Sequence, residues 1–253
     1  MDRFSVIKIA LLTAALLGGC VSQTQIELES ADQFQQMRAK MPLSNSATDK
    51  AYVRCVSTAI IQQLEEPYAS YEWDIEVFED DNINAFAMPG GKIGVFTGIF
   101  KVATNQDELA AVIGHEVAHV TQQHSLERAN RTMATKGVAV FGSEVLDAST
   151  GLETTDVMVM GAELGLLRPY GRSQESEADI VGLEYMASAG FDPRASINLW
   201  TNMAKANSAE PPEWLSTHPS GDSRIGDLAG ELTRTLPLYN SARAAGRVPA
   251  CRR

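Results

Sequence analysis

The sequence predicts an α+β domain in which a mainly helical body carries a small antiparallel sheet. Three observations predict it: apolar residues at helical spacing over residues 48–64, three short strand-like runs between residues 71 and 97, and helical periodicity that dominates beyond residue 104. With 253 residues and 44% hydrophobic composition, the chain can bury a full core, and one compact domain is expected over residues 48–240. A formal charge of −11 without a Lys/Arg cluster argues against nucleic-acid binding, which needs basic side chains to displace counterions from phosphate.

Residues 1–19 have the form of a lipoprotein signal peptide. Arg3 and Lys8 supply positive charge, and the apolar run Ile9 to Leu17 is too short to span a bilayer comfortably. Leu17-Gly18-Gly19-Cys20 resembles a bacterial lipobox, which would make Cys20 the acylated first residue of the mature chain. Each buried CH₂ of the acyl chains would then contribute about 0.8 kcal/mol to membrane anchoring. An ordinary cleaved signal and a short buried helix are the alternatives for the same residues. Val21, rather than Asp, follows Cys20; by resemblance to lipoprotein sorting in enteric-type bacteria, this favours the periplasmic side of the outer membrane. Ser22 to Ser46 is polar without a sustained period, so residues 20–47 are expected to form a lipidated tether with a short helical patch around Ala31 to Lys40.

The next helix buries Val53, Val56, Ile60, Ile61 and Leu64 and stops before Pro67. Tyr71 to Phe78 then alternates in strand fashion, Asn84 to Met88 is a second run and Lys92 to Thr97 a third, with Pro89-Gly90-Gly91 as the turn between the last two. An exported compartment permits Cys55 to pair with Cys251 in the C-terminal tail, residues 241–253. Closing so large a loop is worth roughly 5 kcal/mol in the chain-entropy model. Two unpaired thiols are the alternative.

Asn105 followed by Glu108 has the form of a capping box, which places His115-Glu116-Val117-Ala118-His119 inside a helix. Histidines four residues apart leave one helical face and can bind a single zinc ion per chain. Glu116 projects beside that face, where it can take a proton from water activated by the ion. Catalytic zinc calls for a third protein ligand. His124 lies off the ligand face and is read as a surface or interface histidine. Glu175 and Asp179 open a second helical stretch one turn apart; Glu175 could ligate zinc while Asp179 accepts the outer N–H of a ligand histidine. Taken alone, such an acidic patch is more often a solvated helix face, which is how Glu177 is read.

Four segments taken in order, Asn84 to Gly91, His115 to His119, Arg172 to Asp179, and His218-Pro219 with Arg224-Ile225, resemble peptidase family forty-eight of the metallo class, the family of the CAAX prenyl proteases and HtpX, and within it the periplasmic lipoprotein branch. The resemblance spans roughly residues 50–235. It implies a zincin-like (gluzincin) fold whose edge strand borders the active-site cleft, with Glu175 as third ligand. It further implies that Asn84, Ala85, Phe86, Ala87 and Met88 pair their backbone with an extended substrate, and that His218 approaches the zinc from the far side to stabilise the oxyanion.

The reaction so implied is peptide hydrolysis, with Glu116 as the base that delivers its proton to the leaving amine. No second long apolar segment follows residue 19, so the expected substrates are unfolded or misassembled envelope polypeptides, a quality-control role, with envelope assembly machinery as a candidate partner. The alternative is an envelope chaperone or outer-membrane assembly factor that keeps a zinc site but cleaves little. A purely structural zinc would require a fourth protein ligand. The long, glycine-rich segment Glu144 to Arg172 could cover the cleft.

Overall fold

A computed structural model describes residues 20–135, 168–206, 213–218 and 224–253. The signal-peptide reading of residues 1–19 and most of the segment read as cover for the cleft lie outside the described residues.

Residues 20–47, expected as a tether, are largely folded. Helix α1 (Gln23–Lys40) starts at Ser22, whose Oγ accepts from Gln25 N at 3.2 Å. Side-chain bonds one turn apart run from Gln23 to Glu27 (2.7 Å) and from Gln36 to Asp32 (2.8 Å). One fully buried aromatic, Phe34, fixes the helix to Phe78 and Phe86, and Arg38 pairs with Asp74 (3.0 Å) and Glu76 (2.9 Å). The helical patch expected around Ala31 to Lys40 is the second half of this helix; held by one aromatic and two ion pairs, the helix has no apolar stripe to mark its first half.

Helix α2 (Ala47–Ile61) is capped by Ser46 and buries Tyr52, Val53, Val56 and Ile60. The sheet contains β1 (Asp74–Phe78), β2 (Ala85–Met88) and β3 (Lys92–Phe96) in the order β1-β3-β2. It is mixed rather than wholly antiparallel: β1 runs parallel to β3, and β2 is antiparallel to β3. The connection after β1 passes over the end of β3, where Asp80 N donates to Thr97 Oγ1 (3.0 Å) and Gly98 N donates to Asp80 O (2.7 Å). That crossing delivers β2 to the far side of β3. The β2–β3 turn places Gly90 and Gly91 at φ of 79° and 76°, a left-handed pair suited to glycine. Ala85 and Ala87 face the helical core, while Phe86 and Met88 pack toward Phe34.

Helix α3 (Gln106–Thr121) begins at Asn105, whose Oδ1 accepts from Asp107 N and Glu108 N, both at 3.0 Å. The return arm of the expected capping box is displaced by one residue, since Glu108 Oε2 accepts from Thr104 N at 2.7 Å. Almost every side chain from Glu108 to Thr121 is buried, because α3 is enclosed by α2, β2, α5 (Arg168–Ser188) and α6 (Ala195–Ala206). A helical stretch over 124–135, α4, follows α3. Helices α7 (Glu213–Thr217) and α8 (Arg224–Ala244) complete the described elements. No helix among the described residues is long and apolar enough to cross a membrane.

The crossing of α3 and α5 positions the site. A Cβ added to Gly114 would lie 2.7 Å from Gly182 O, and one added to Gly182 would lie 2.7 Å from His115 N. The two backbones therefore touch with no side chain between them.

Cys55 of α2 and Cys251 are joined by a disulfide spanning 196 residues. Around it the C-terminal tail is pinned: Cys251 N donates to Gln106 Oε1 (2.9 Å), Gln106 Nε2 donates to Pro249 O (3.1 Å), and Arg253 Nε donates to Asp49 Oδ1 (2.7 Å). Cys251→Ser is expected to lower the unfolding free energy by about 2–4 kcal/mol in urea denaturation. A loss below about 0.5 kcal/mol would show that the tail's hydrogen bonds suffice without the bridge.

Candidate metal centre

His115 and His119 lie one turn apart on α3, and both are buried. Their Nε2 atoms sit 3.0 Å apart. Across the helix crossing, Glu175 of α5 directs Oε2 to 3.3 Å from His115 Nε2 and Oε1 to 3.5 Å from His119 Nε2. His218 completes the cluster, its Nδ1 lying 3.2 Å from His115 Nε2 and 3.0 Å from Glu175 Oε2. One ligand atom from each of these four residues lies within 4.8 Å of the other three.

The arrangement fits a metal ion on two counts. Zinc–nitrogen and zinc–oxygen bonds of about 2.0–2.1 Å imply donor atoms about 3.3 Å apart in a tetrahedron, close to the separations observed. In addition, Oε1 of the buried Glu175 accepts no hydrogen bond among the described residues. A buried carboxylate oxygen without a donor, aimed at two imidazole nitrogens, is what a cation satisfies.

The electrostatics agree. Burial alone would drive the His115 imidazolium down, but the Asp179 and Glu175 carboxylates outweigh it and hold the pKa up at about 9. His119 is shifted the other way, by burial first and then by its neighbour His115. Glu175 stays below the usual carboxylate range despite its burial, because His115 and His218 hydrogen-bond to it. The cluster thus attracts one positive charge between two buried carboxylates.

The flanking residues hold this geometry. His115 turns its outer nitrogen, Nδ1, to Asp179 Oδ1 at 3.0 Å. Asp179 is in turn gripped by Arg224, which donates from Nη2 to Oδ1 (2.7 Å) and brings Nε to 2.6 Å from Oδ2. The Arg224 guanidinium lies 3.8 Å from the centre of the Trp200 ring, and Nη1 donates to His218 O at 3.4 Å. Glu116, buried beside the cluster, accepts from Trp214 Nε1 at 2.7 Å and sits 3.4 Å from His218 Nε2.

Sequence reasoning missed three of these residues. Trp214 carries no sequence signal of its own, since no spacing rule links it to Glu116, 98 positions earlier. Arg224 entered the sequence reading only as part of a motif. His124 is not a surface histidine: it is 2% exposed, with Nδ1 2.8 Å from His119 Nδ1. Glu177, read as a solvated face, is half-exposed but reaches His124 Nε2 at 3.2 Å. Of the expected substrate strand, Asn84 is buried, its Oδ1 accepting from Ala85 N (2.9 Å), and β2 occupies an outer position in the sheet. Cys20 is exposed with a free thiol.

Residues 47–232 match the family described as Peptidase family M48. The chain is 38% identical over 156 residues to the mitochondrial metalloendopeptidase OMA1 of Schizosaccharomyces pombe, covering 61% of this chain and 45% of that protein. It is 30% identical over 213 residues to the beta-barrel assembly-enhancing protease of Yersinia pestis, covering 80% of this chain and 43% of that one. A putative beta-barrel assembly-enhancing protease of Vibrio cholerae is 32% identical over 239 residues, covering 86% and 48%. The chain thus spans about half the length of the curated relatives it matches.

Because the donors come from two helices in backbone contact, Gly182→Ala should disturb the centre without touching any donor. The added methyl is expected to cost about 1–3 kcal/mol of stability and to weaken metal binding in isothermal titration. A folded variant with wild-type affinity would show that the crossing does not set the donor geometry.

Proposed function

This chain belongs to peptidase family M48, and from that premise we propose that it is a zinc-dependent endopeptidase that hydrolyses unfolded or misassembled polypeptides of the bacterial cell envelope. One observation carries the reading: two imidazoles from α3 and the Glu175 carboxylate from α5 converge, and Glu116 is held beside them rather than among them. A zinc ion bound there supplies Lewis acidity, bringing water near neutrality in pKa and polarising a peptide carbonyl.

The chain's own groups do the rest. The Glu116 carboxylate, fixed by the Trp214 indole, takes the proton from the attacking water and returns it to the leaving amine. His218, whose Nε2 lies 3.4 Å from Glu116 Oε1, is the group assigned to donate to the developing oxyanion. Strand β2, at an outer position in the sheet, offers its backbone edge to an extended peptide, with Ala85 and Ala87 anchored in the helical core and Phe86 and Met88 packed on α1. Cys20, exposed at the start of the described chain, is assigned as the lipid-bearing residue that holds the enzyme at the periplasmic face, the outer membrane being favoured. Relatives named for enhancing beta-barrel assembly support a role beside the envelope assembly machinery.

A second reading is favoured by one feature, the nearness of His218 Nδ1 to both His115 Nε2 and Glu175 Oε2. With His218 as fourth ligand the coordination shell is closed to water, which suits an assembly factor with a metal site and little proteolysis, or a latent protease.

Digestion of casein or of an unfolded outer-membrane protein separates the alternatives. Glu116→Gln is expected to lower kcat by about 100-fold or more with zinc content unchanged. Undiminished digestion by that variant, or a wild-type chain without stoichiometric zinc, would sink the enzymatic reading. His218→Ala should slow hydrolysis roughly tenfold or more if the imidazole supports the oxyanion; faster hydrolysis would instead identify it as the closing ligand.

A further inference from the structure

We propose that His124 is a positioning residue for the metal centre, accepting from the outer nitrogen of His119 while donating its own N–H to Glu177. The inference rests on the metal reading above and concerns a different question, namely which groups orient the second histidine.

Both α3 histidines turn Nε2 inward and Nδ1 outward. His115 finds a carboxylate, Asp179, at its outer nitrogen, while His119 finds another imidazole, with His124 Nδ1 at 2.8 Å. Two facing imidazole nitrogens share a single proton. If His124 carries it, the His119 proton sits on Nε2 and blocks the metal. If His119 carries it, Nε2 keeps its lone pair for the ion. Glu177 selects the second case. Its Oε2 lies 3.2 Å from His124 Nε2, so it accepts an N–H there and leaves His124 Nδ1 bare to accept from His119.

The local backbone is built for this contact. A residue five positions after His119 on a continuous helix would point away from it. Instead α3 ends at Thr121, and Gln123, a non-glycine residue, adopts φ of 55°, in the disfavoured left-handed region. That turn brings His124, the first residue of α4, back against His119. Gln174 of α5 then locks the site by donating from Nε2 to His124 O at 3.3 Å, and burial leaves His124 2% exposed.

The test compares His124→Phe, which keeps an aromatic ring without an acceptor, and His124→Asn, whose Oδ1 can occupy the place of Nδ1. Zinc affinity is read by competition with a chromophoric chelator, and ligand orientation by the visible absorption of the cobalt-substituted protein. His124→Phe is expected to raise the zinc Kd by about 10- to 100-fold and shift the cobalt bands, while His124→Asn stays within about threefold of wild type with unshifted bands. A wild-type Kd for His124→Phe overturns the proposal, as does an Asn variant that loses as much as Phe while the metal-free proteins melt alike. Should His124→Phe not fold, Glu177→Ala on the half-exposed rim carries the test: a rise in Kd of about threefold or more is expected, and an unchanged Kd overturns the proposal. A wild-type protein that binds no zinc would instead sink the functional reading itself.

Discussion

The site exists because two helices meet backbone to backbone at Gly114 and Gly182, where any added Cβ would collide with the opposite main chain. Each glycine weakens its own helix by about 1 kcal/mol relative to alanine. Tertiary burial offsets this, since Leu109, Val112, Ile113 and Val117 of α3 share one core with Leu183 and Met186 of α5. The close approach is what lets short side chains meet. His115 follows Gly114 directly, and Asp179 and Glu175 lie one and two turns before Gly182, so an imidazole and a carboxylate can share an ion that neither helix could hold alone.

Charge follows from that packing. Glu175 and Asp179 are drawn out of water with His115 and His119, and buried carboxylates persist only when cations or hydrogen bonds match them. Arg224, at the first turn of α8, matches Asp179 and is itself laid on Trp200. The Asp179 and Glu175 carboxylates raise the His115 pKa against its burial, so the pocket favours positive charge. Trp214, on the short helix that precedes His218, packs against Trp200 and donates to Glu116. Three segments far apart in sequence thus converge on one helix, and each contributes a group that the helix cannot supply.

Much of this was legible beforehand because local periodicity carries it. The four-residue spacing of His115 and His119 requires only a helix, and the Asn105 cap with its apolar run announces one. Glu175 and Asp179 share a face for the same reason. The reading failed where no local period exists. Helix α1 has a single buried aromatic, and only its second half reads as helix in the sequence. The direction of β1 against β3 was invisible because strand alternation is the same for parallel and antiparallel partners. His124 was placed by assuming that the helix continued, whereas a left-handed residue at Gln123 ends it.

By itself, then, the amino-acid order determined which residues can bear the chemistry and which of them share a helical face, since both depend on residue type and a repeat of 3.6. Only the tertiary structure decided which faces meet. It set Glu175 rather than Glu177 opposite the histidines, turned His124 inward, brought Trp214 to Glu116 and placed His218 among the donors. The physical reason is that contacts across about 40 to 100 residues of sequence depend on helix crossings and backbone turns that the whole core stabilises together, and no local pattern records them.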